Sequence, residues 1–402
     1  MELAEQRYQH WCAQKTLDPE LRQELAAMQN DADKITDAFY RDLEFGTAGL
    51  RGVLGAGTNR MNIYVIRRAT QAVADYLNET DLPKTVAIGH DSRIKSDVFA
   101  REAAAVFAAN GITAYLYPRL EPVPALSFAV RHLHCGLGIC VTASHNPATY
   151  NGIKLIVHEG RDASLEETGR VEEIIASLKE EDVKTMNLDE AFAKGLAEIV
   201  KNPFNHFIDD IIAQMDMQKI RDRGPRVLFD PMHGSGTYPL LVILCTARCT
   251  IDLMHSNKDA YFGGLMPAPS QVSLGELTSR VVREGYDLGI ALDGDGDRLG
   301  IVDSNGNYIS ANDILCMLYY YLHEYKGWKG PVVRNLATTH MLDRIAESFG
   351  ETCYEVPVGF KYISSKLDEV DAVLGGESSG GLTVRGHIFG KDSIYAASLF
   401  VA

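Results

Sequence analysis

Residues 136–147 of the chain, GLGICVTASHNP, join a short apolar run to a turn of small and polar residues. The run Gly136–Val141 is typical of a buried strand. Asn146 and Pro147 then stop any helix, because the residue before a proline is pushed out of the α region. Ser144 is therefore expected at the carboxyl end of a strand, where open α/β sheets bind their ligands. Taken alone, the stretch is still more typical of a surface turn than of a binding site.

The sequence around this stretch alternates helical and strand patterns in three successive units. The key strand of each unit ends in a Gly-rich loop that carries Ser144, Asp293 or Glu377. Such alternation predicts an α/β protein with three consecutive domains of mixed or parallel sheets, whose loops share one central cleft. We predict an N-terminal helical arm over residues 1–40 and domains over residues 41–205, 206–311 and 312–402.

Local signals predict individual elements. Asp18 can cap a helix whose first residue is Pro19. Strands are predicted over Arg226–Asp230 and Ala372–Leu374, whereas the charged residues 160–222 are predicted to be mostly helical.

Size and charge limit the classes of function. The 402 residues are enough for about two to three domains. The net charge of -15 argues against non-specific binding to nucleic acid or to an anionic membrane, since both need a basic face. No segment reaches the roughly 18 apolar residues of a membrane span. The seven cysteines contain no C-x-x-C pair and fit a reducing cytoplasm. The oligomeric state stays open.

Three aspartates alternate with glycines in the second unit and predict a metal site. Alternate residues of an extended segment point the same way, so the carboxylates of Asp293, Asp295 and Asp297 should converge. Three anions so close together need a cation, and oxygen ligands of this kind suit Mg²⁺. An EF-hand is excluded, because the glycine and glutamate that it requires are replaced by Arg298 and Ser304.

A divalent ion nearby changes how Ser144 is interpreted. No His/Asp relay and no G-x-S-x-G elbow surrounds this serine, so it is a poor nucleophile by itself. A phosphoserine, in contrast, is a good Mg²⁺ ligand, and phosphoryl transfer depends mainly on positioning and charge neutralisation. Arg51 and Lys154 could add positive charge, and Glu377 and Ser379 could hydrogen-bond sugar hydroxyls.

Three motifs in this order resemble the α-D-phosphohexomutases: TASHNP at 142–147, DGDGDR at 293–298 and GESSG at 376–380. The Glu44–Gly52 segment and the helical arm resemble the phosphoglucomutase/phosphopentomutase branch of that family. The resemblance covers nearly the whole chain. It implies catalytic roles for Ser144, Arg51, Lys154 and Lys391, substrate binding by Glu377, Ser379, Arg298 and His145, and Mg²⁺ binding by Ser144, Asp293, Asp295 and Asp297.

The activity that the resemblance implies is that of a phosphosugar mutase. It would interconvert glucose 1-phosphate and glucose 6-phosphate through a phosphoserine and a 1,6-bisphosphate, with glucose 1,6-bisphosphate as activator. Hexose and pentose substrates both stay open. The family has a fourth domain that clamps the second phosphate, and this chain ends at Ala402 before it, so reduced turnover is expected.

Two alternatives remain at this point. The stretch Leu292–Gly296 also resembles the nucleophile motif of haloacid-dehalogenase-type phosphatases and mutases, in which Asp293 would be the nucleophile and Ser144 a bystander. The chain could also be a truncated protein that binds a phosphosugar with little turnover.

Overall fold

The N-terminal arm consists of three helices packed around their own core. The structure, a computed structural model, describes residues 2–46 and 49–402; Thr47 and Ala48 of the Glu44–Gly52 segment lie outside the described residues. Asp18 caps the second helix as predicted, because its carboxylate accepts the backbone N–H groups of Glu20 and Leu21. The helices are α1 (Glu2–Ala13), α2 (Pro19–Met28) and α3 (Ala32–Phe39).

A mixed seven-stranded sheet forms the first unit, with strand order β1-β2-β6-β5-β3-β4-β7 in the described residues. Strands β5, β3, β4 and β7 are mutually parallel, whereas β6 and β2 run antiparallel to their neighbours. Its elements are β1 (Phe45–Gly46), β2 (Gly49–Val53), α4 (Ile63–Glu79), β3 (Thr85–His90), α5 (Ser96–Ala109), β4 (Thr113–Leu116), α6 (Val123–His132), β5 (Leu137–Val141), β6 (Tyr150–Val157), α7 (Leu165–Ser177), α8 (Leu188–Ala193) and β7 (Ala197–Ile199).

The second unit contains a five-stranded sheet of order β12-β11-β10-β8-β9. Strands β8, β9 and β10 are parallel, and β11 turns back antiparallel to β10. Its elements are α9 (Asn205–Gln214), α10 (Met217–Arg223), β8 (Arg226–Asp230), α11 (Thr237–Thr246), β9 (Thr250–Leu253), α12 (Gly275–Glu284), β10 (Leu288–Leu292), β11 (Leu299–Asp303) and β12 (Tyr308–Ile309).

The third unit has a four-stranded sheet of order β14-β13-β15-β16, parallel except for β16. Its elements are α13 (Ala311–Glu324), β13 (Val332–Asn335), α14 (Met341–Phe349), β14 (Cys353–Val356), α15 (Phe360–Glu369), β15 (Leu374–Gly376), β16 (Leu382–Val384) and α16 (Ser393–Val401). The predicted class, three consecutive α/β domains with mixed or parallel sheets, is confirmed.

The second and third units share one hydrophobic core, in which α16 packs against α11 and α13. The first unit has a separate core between its sheet and the helices α4, α5 and α7. A backbone hydrogen bond of 2.9 Å from Val123 to Asp295 joins the first unit to the second. The first unit therefore contacts the second at the loop that follows β10.

Most predicted elements coincide with the observed ones, and β8 matches residue for residue. Strand β7 was missed, because residues 160–222 were predicted to be mostly helical and this three-residue strand forms only by pairing with β4. Strand β15 lies two residues later than predicted and includes Gly375 and Gly376. A Cβ on Gly375 would lie 2.6 Å from Ile363, so a packed helix takes the place of a side chain there.

None of the helices in the described ranges is long and apolar enough to cross a membrane.

Gly152 of β6 is opposite Arg51 of β2, and its lack of a side chain lets the two strands pair closely. A Cβ there would meet the carbonyl oxygen of Leu50 and lie 2.9 Å from that of Thr142, both rigid backbone atoms. We expect Gly152→Ala to lower the free energy of unfolding by about 1–3 kcal/mol, measured by urea denaturation.

Gly169→Ala is the matched control, because a Cβ on this glycine of α7 would meet nothing within 4 Å. It should raise the free energy of unfolding by roughly 0.5–1 kcal/mol through helix propensity. Equal effects of the two substitutions would contradict the packing argument.

Candidate active site

The site forms where three strands end at one place. Strand β5 leads into the loop with Ser144, β10 into the loop with Asp293, and β15 into the loop with Glu377. The carboxyl ends of parallel strands share one sheet edge, so each unit presents its loop at an edge. The predicted central cleft results from bringing these three edges together.

The backbone of Ser144 is left-handed, with φ of +52°, and it is held there by a buried arginine. Arg93 donates from Nη2 to the carbonyl oxygens of Ser144 and Asn146, both at 2.6 Å. Its Nη1 donates to those of Pro147 and Tyr150 at 2.8 and 3.0 Å. A non-glycine residue in this conformation persists only when its surroundings impose it, and Arg93 supplies that constraint.

Arg93 therefore stabilises the backbone of the loop and is not part of the cleft lining. Its Nε pairs with Asp91 at 3.2 Å, and its guanidinium lies 4.8 Å from the ring centre of Phe262 in the second unit. Asp91 also accepts a hydrogen bond from Thr142, whose hydroxyl accepts the Ser144 N–H at 2.8 Å. Arg93 thus acts on the conformation of the Ser144 loop through contacts with its backbone.

The three aspartates converge as predicted, with a ligand oxygen of each within 4.8 Å of the others. Asp293 Oδ1 accepts the backbone N–H groups of Asp297 and Arg298, which fixes the turn. Oδ1 of Asp295 and Oδ1 of Asp297 are buried and have no hydrogen-bond partner in the described part of the chain. Buried oxygens without partners are costly, so this cluster could hold a metal ion.

Lys154 of β6 supplies a cation to the cluster across the domain boundary. Its Nζ lies 2.7 Å from Asp295 and 2.6 Å from Asp297. Burial lowers the pKa of Lys154, but the two carboxylates outweigh burial and raise it. The amine is therefore charged at every physiological pH.

The carboxyl groups of Asp293 and Asp297 have pKa values shifted in opposite directions. Burial, followed by the charges of Asp295 and Asp297, raises the pKa of Asp293. Burial opposes ionisation of Asp297 as well, but Lys154, Lys391 and Arg298 together lower its pKa well below the usual range. The cluster thus keeps its negative charge at Asp297, where Lys154 and Lys391 reach it.

The Ser144 hydroxyl lies between this cluster and a histidine. Its Oγ is 3.4 Å from Asp293 Oδ2 and 3.2 Å from His145 Nδ1. Burial, with the charges of Arg298 and Arg51, lowers the pKa of His145 to about 4. At pH 7 the imidazole is neutral and serves as a hydrogen-bonding group without charge.

A cleft of about 390 Å³ lies between residues of the first unit, among them Arg51 and Lys154, and the third unit. Arg51 borders it and donates to Asn146 at 3.1 Å. On the opposite side, Glu377 accepts from the Ser379 hydroxyl at 2.6 Å and from the Asn335 amide at 3.2 Å. The predicted residues on its lining are Arg51, Lys154, Arg298, Glu377, Ser379 and Lys391.

Lys391 links the aspartate cluster of the second unit to the Glu377 loop of the third. Its Nζ lies 3.6 Å from Asp297 and 4.0 Å from Glu377. The structure thus brings together residues that are distant in sequence. Ser144, His145 and the three aspartates are not among the residues that line the cleft, but Lys154 and Lys391 of the lining contact the aspartates.

Several residues of the cleft lining were not predicted, of which Asp162, Asn335 and Lys361 carry a charge or an amide. Lys361 follows a strand and a glycine at the start of α15, which is a signal that could have identified it. Asn335 ends β13 at the same sheet edge as Glu377, but nothing in the sequence distinguishes it from other strand-end polar residues.

The haloacid-dehalogenase alternative is not favoured by this geometry. Asp293 would have to be an open nucleophile, yet its Oδ1 accepts two backbone N–H groups. Its Oδ2 faces the Ser144 hydroxyl, so the serine is part of the site rather than a bystander.

Comparison with known proteins agrees with this arrangement. Family models for phosphoglucomutase/phosphomannomutase α/β/α domains I, II and III match residues 42–182, 205–306 and 310–402. A phosphoglucomutase of Staphylococcus haemolyticus is 29% identical over 390 residues, 90% of this chain and 69% of that protein. A phosphoglucomutase/phosphomannomutase of Thermococcus kodakarensis is 27% identical over 358 residues, 89% of this chain and 76% of that protein.

Solved structures share the fold. A candidate phosphomannomutase from Thermus thermophilus superposes with a TM-score of 0.82 at 29% identity, covering 90% of this chain and 79% of its own. The Paramecium phosphoglucomutase parafusin, in its open form, has a TM-score of 0.74 at 21% identity. The match covers 90% of this chain and 71% of the parafusin chain. The resemblance to the α-D-phosphohexomutases is confirmed. The chain belongs to the phosphoglucomutase/phosphomannomutase family.

Proposed function

We propose that the chain interconverts glucose 1-phosphate and glucose 6-phosphate, with Ser144 as the phosphoryl carrier. The position of the Ser144 hydroxyl carries the proposal, because it lies at the aspartate cluster, 3.4 Å from Asp293 Oδ2. The names of the relatives, phosphoglucomutase and phosphoglucomutase/phosphomannomutase, support the same activity.

In the proposed cycle, phosphoserine 144 transfers its phosphoryl group to the free hydroxyl of a sugar monophosphate. The bond from phosphorus to Ser144 Oγ breaks and a bond from phosphorus to the sugar oxygen forms, while the sugar hydroxyl gives up its proton and Ser144 Oγ gains one to become a hydroxyl. The glucose 1,6-bisphosphate so formed reorients in the cleft by exchanging the positions of its two phosphates. It then returns its other phosphate to Ser144. The same bisphosphate is the proposed activator, since it can phosphorylate a free serine.

Mg²⁺ is the proposed metal, and Ser144, Asp293, Asp295 and Asp297 are the proposed ligands. The donor set fits this ion, because all four side chains are buried and offer oxygen atoms. The unpartnered Oδ1 atoms of Asp295 and Asp297 support the assignment. When bound, the cation would draw charge from the phosphoryl group as a Lewis acid.

Positive charge in the cleft fits an anionic substrate, although the whole chain carries a net charge of -15. Two acidic residues, Asp162 and Glu377, face five basic ones among the described residues of the lining. Arg51 can offer a two-pronged hydrogen bond to a phosphate, and lysines act as point charges. The five basic residues are Arg51, Lys154, Arg298, Lys361 and Lys391.

The third unit is proposed to bind the sugar. The Glu377 carboxylate is held by Asn335 and Ser379, so its orientation is set before a ligand arrives. An ionised carboxylate accepts hydrogen bonds from hydroxyl groups, and the Ser379 hydroxyl can both donate and accept. The proposed roles are phosphoserine domain for residues 41–205, metal-binding domain for 206–311 and sugar-binding domain for 312–402.

The proposed compartment is the reducing cytoplasm, where seven free thiols would stay reduced.

Ser144→Ala should abolish conversion of glucose 1-phosphate to glucose 6-phosphate and leave the chain folded. A coupled assay with Mg²⁺ and the bisphosphate primer measures turnover, and intact mass measures the phosphoryl group on the wild-type chain. Ser177→Ala, which replaces an exposed serine at the end of α7, is the control and should behave as wild type. Unimpaired turnover by Ser144→Ala would refute the proposal. Ligand binding by the wild type without turnover would favour the phosphosugar-binding alternative.

Lys154→Met should destabilise the chain, because it leaves Asp295 and Asp297 without their shared counter-charge. Removing one partner of a buried ion pair costs about 3–5 kcal/mol of unfolding free energy. Mg²⁺ should restore more stability to this variant than it adds to wild type, since the ammonium no longer competes for the carboxylates. Thermal unfolding with and without Mg²⁺ measures both effects.

Lys34→Met is the control for the lysine substitution, because it removes a surface pair with Asp31 whose lysine side chain is 70% exposed. It should change stability by less than about 1 kcal/mol with or without Mg²⁺. A Mg²⁺ response of Lys154→Met no larger than that of wild type would count against the metal site.

A further inference from the structure

A buried histidine outside the cleft, His387, lies between two carboxylates. Its Nδ1 is 2.5 Å from Asp210 Oδ2, and its Nε2 is 2.8 Å from Asp392 Oδ2. The histidine side chain is 1% exposed. Ionised carboxylates only accept hydrogen bonds, so both ring nitrogens donate and the ring is an imidazolium.

The ring lies where all three units meet. Its centre is 5.8 Å from that of Phe128 on α6, 5.6 Å from that of Phe207 on α9 and 4.9 Å from that of Tyr395 on α16. Arg131 of α6 donates from Nη1 to the carbonyl oxygen of His387. One residue of the third unit is thus bound to the second unit by its side chain and to the first by its backbone.

His387 belongs to the loop of residues 385–392, which also carries Lys391. Lys391 follows His387 by four residues and directly precedes Asp392. Asp392 is fixed in turn, because its Oδ1 caps α16 by accepting the Tyr395 N–H at 2.8 Å. The two contacts of the His387 ring therefore fix both sides of the segment from which the Lys391 side chain extends toward Asp297 and Glu377.

The electrostatic surroundings keep this histidine charged. Burial lowers its pKa, but the hydrogen bonds to Asp210 and Asp392 outweigh burial and raise the pKa. The charged or titratable groups that face the ring are Arg131 from α6, Asp210 from α9, and Asp392 and Tyr395 at the start of α16. The stabilisation is fully present below the unfolded pKa of about 6.5 and is lost as pH rises through the higher folded pKa.

We propose that His387 is a positioning residue for Lys391. It anchors the 385–392 loop to the first and second units and so determines where the Lys391 amine lies in the cleft. The inference rests on the proposed function, because Lys391 is assigned there to the phosphosugar site. His387 itself lies outside the cleft lining, so its effect on the reaction passes through Lys391.

His387→Gln tests this inference, because glutamine can donate to only one side and carries no charge. We expect kcat/KM for glucose 1-phosphate to fall roughly 10²-fold, as expected when a reacting group is misplaced by about 1 Å. The amine of Lys391 should react several-fold faster with acetic anhydride in the substrate-free chain, measured by peptide mass spectrometry. Wild-type kcat/KM should decline as pH rises through the pKa of His387, which NMR of the imidazole ring measures. This decline should be absent from the variant.

His323→Gln is the matched control, because His323 is also a buried histidine of the third unit, stacked 3.7 Å from the ring centre of Phe349. It should lower the melting temperature without changing kcat/KM or Lys391 labelling. If His387→Gln keeps wild-type kcat/KM and labelling, or changes both only as much as His323→Gln does, the inference is overturned.

Asp210→Asn is a milder second variant for the case in which His387→Gln does not fold, since the Asp210 side chain is 39% exposed. Lys391 labelling should rise in it by a smaller factor, and unchanged labelling would overturn the inference. If the wild-type chain does not convert glucose 1-phosphate, the proposed function fails. Lys391 labelling then still decides the role of His387.

Discussion

Three carboxylates buried within 4.8 Å of one another are the constraint on which the rest of the site depends. Like charges at such distances repel by several kcal/mol in a medium less polar than water. The loop of Asp293, Asp295 and Asp297 needs counter-charge to be stable, and Arg298 is the neighbour that its own unit contributes. Lys154 comes from the first unit and Lys391 from the third. Charge balance in the second unit is therefore complete only when all three units are assembled.

The basic residues around this cluster divide into two groups with different physical tasks. Arg51, Lys154 and Lys391 border the cleft, where a phosphate could reach them. Arg93 is equally cationic, but its guanidinium is occupied by four backbone carbonyl oxygens of the Ser144 loop and by Asp91. These contacts form only when the backbone at Ser144 is left-handed, so Arg93 stabilises a conformation that is otherwise unfavourable. His387 has a comparable task on the other side of the cleft, where it holds a loop rather than a ligand.

Residue patterns were sufficient to predict most elements and the nature of the three loops. Strand β8 was predicted with its correct ends because a short apolar run with turn residues on both sides leaves few alternatives. Strand β7 was not, because three residues have no period of their own and acquire their conformation from β4. Asn335 escaped prediction for a similar reason, since its importance lies in a hydrogen bond to Glu377 that is 42 residues distant in the chain.

The sequence by itself determined the α/β class, the strand ends at which chemistry is placed and the types of side chain present there, since these depend on local apolar patterns and on composition. Tertiary structure decided which of those side chains meet. Lys154 and Asp297 are 143 residues apart in the chain and 2.6 Å apart in space. The direction in which Arg93 points, and the position of His387 between Asp210 and Asp392, follow from packing between units. Pairing of buried charges is a long-range condition, and no local pattern contains it.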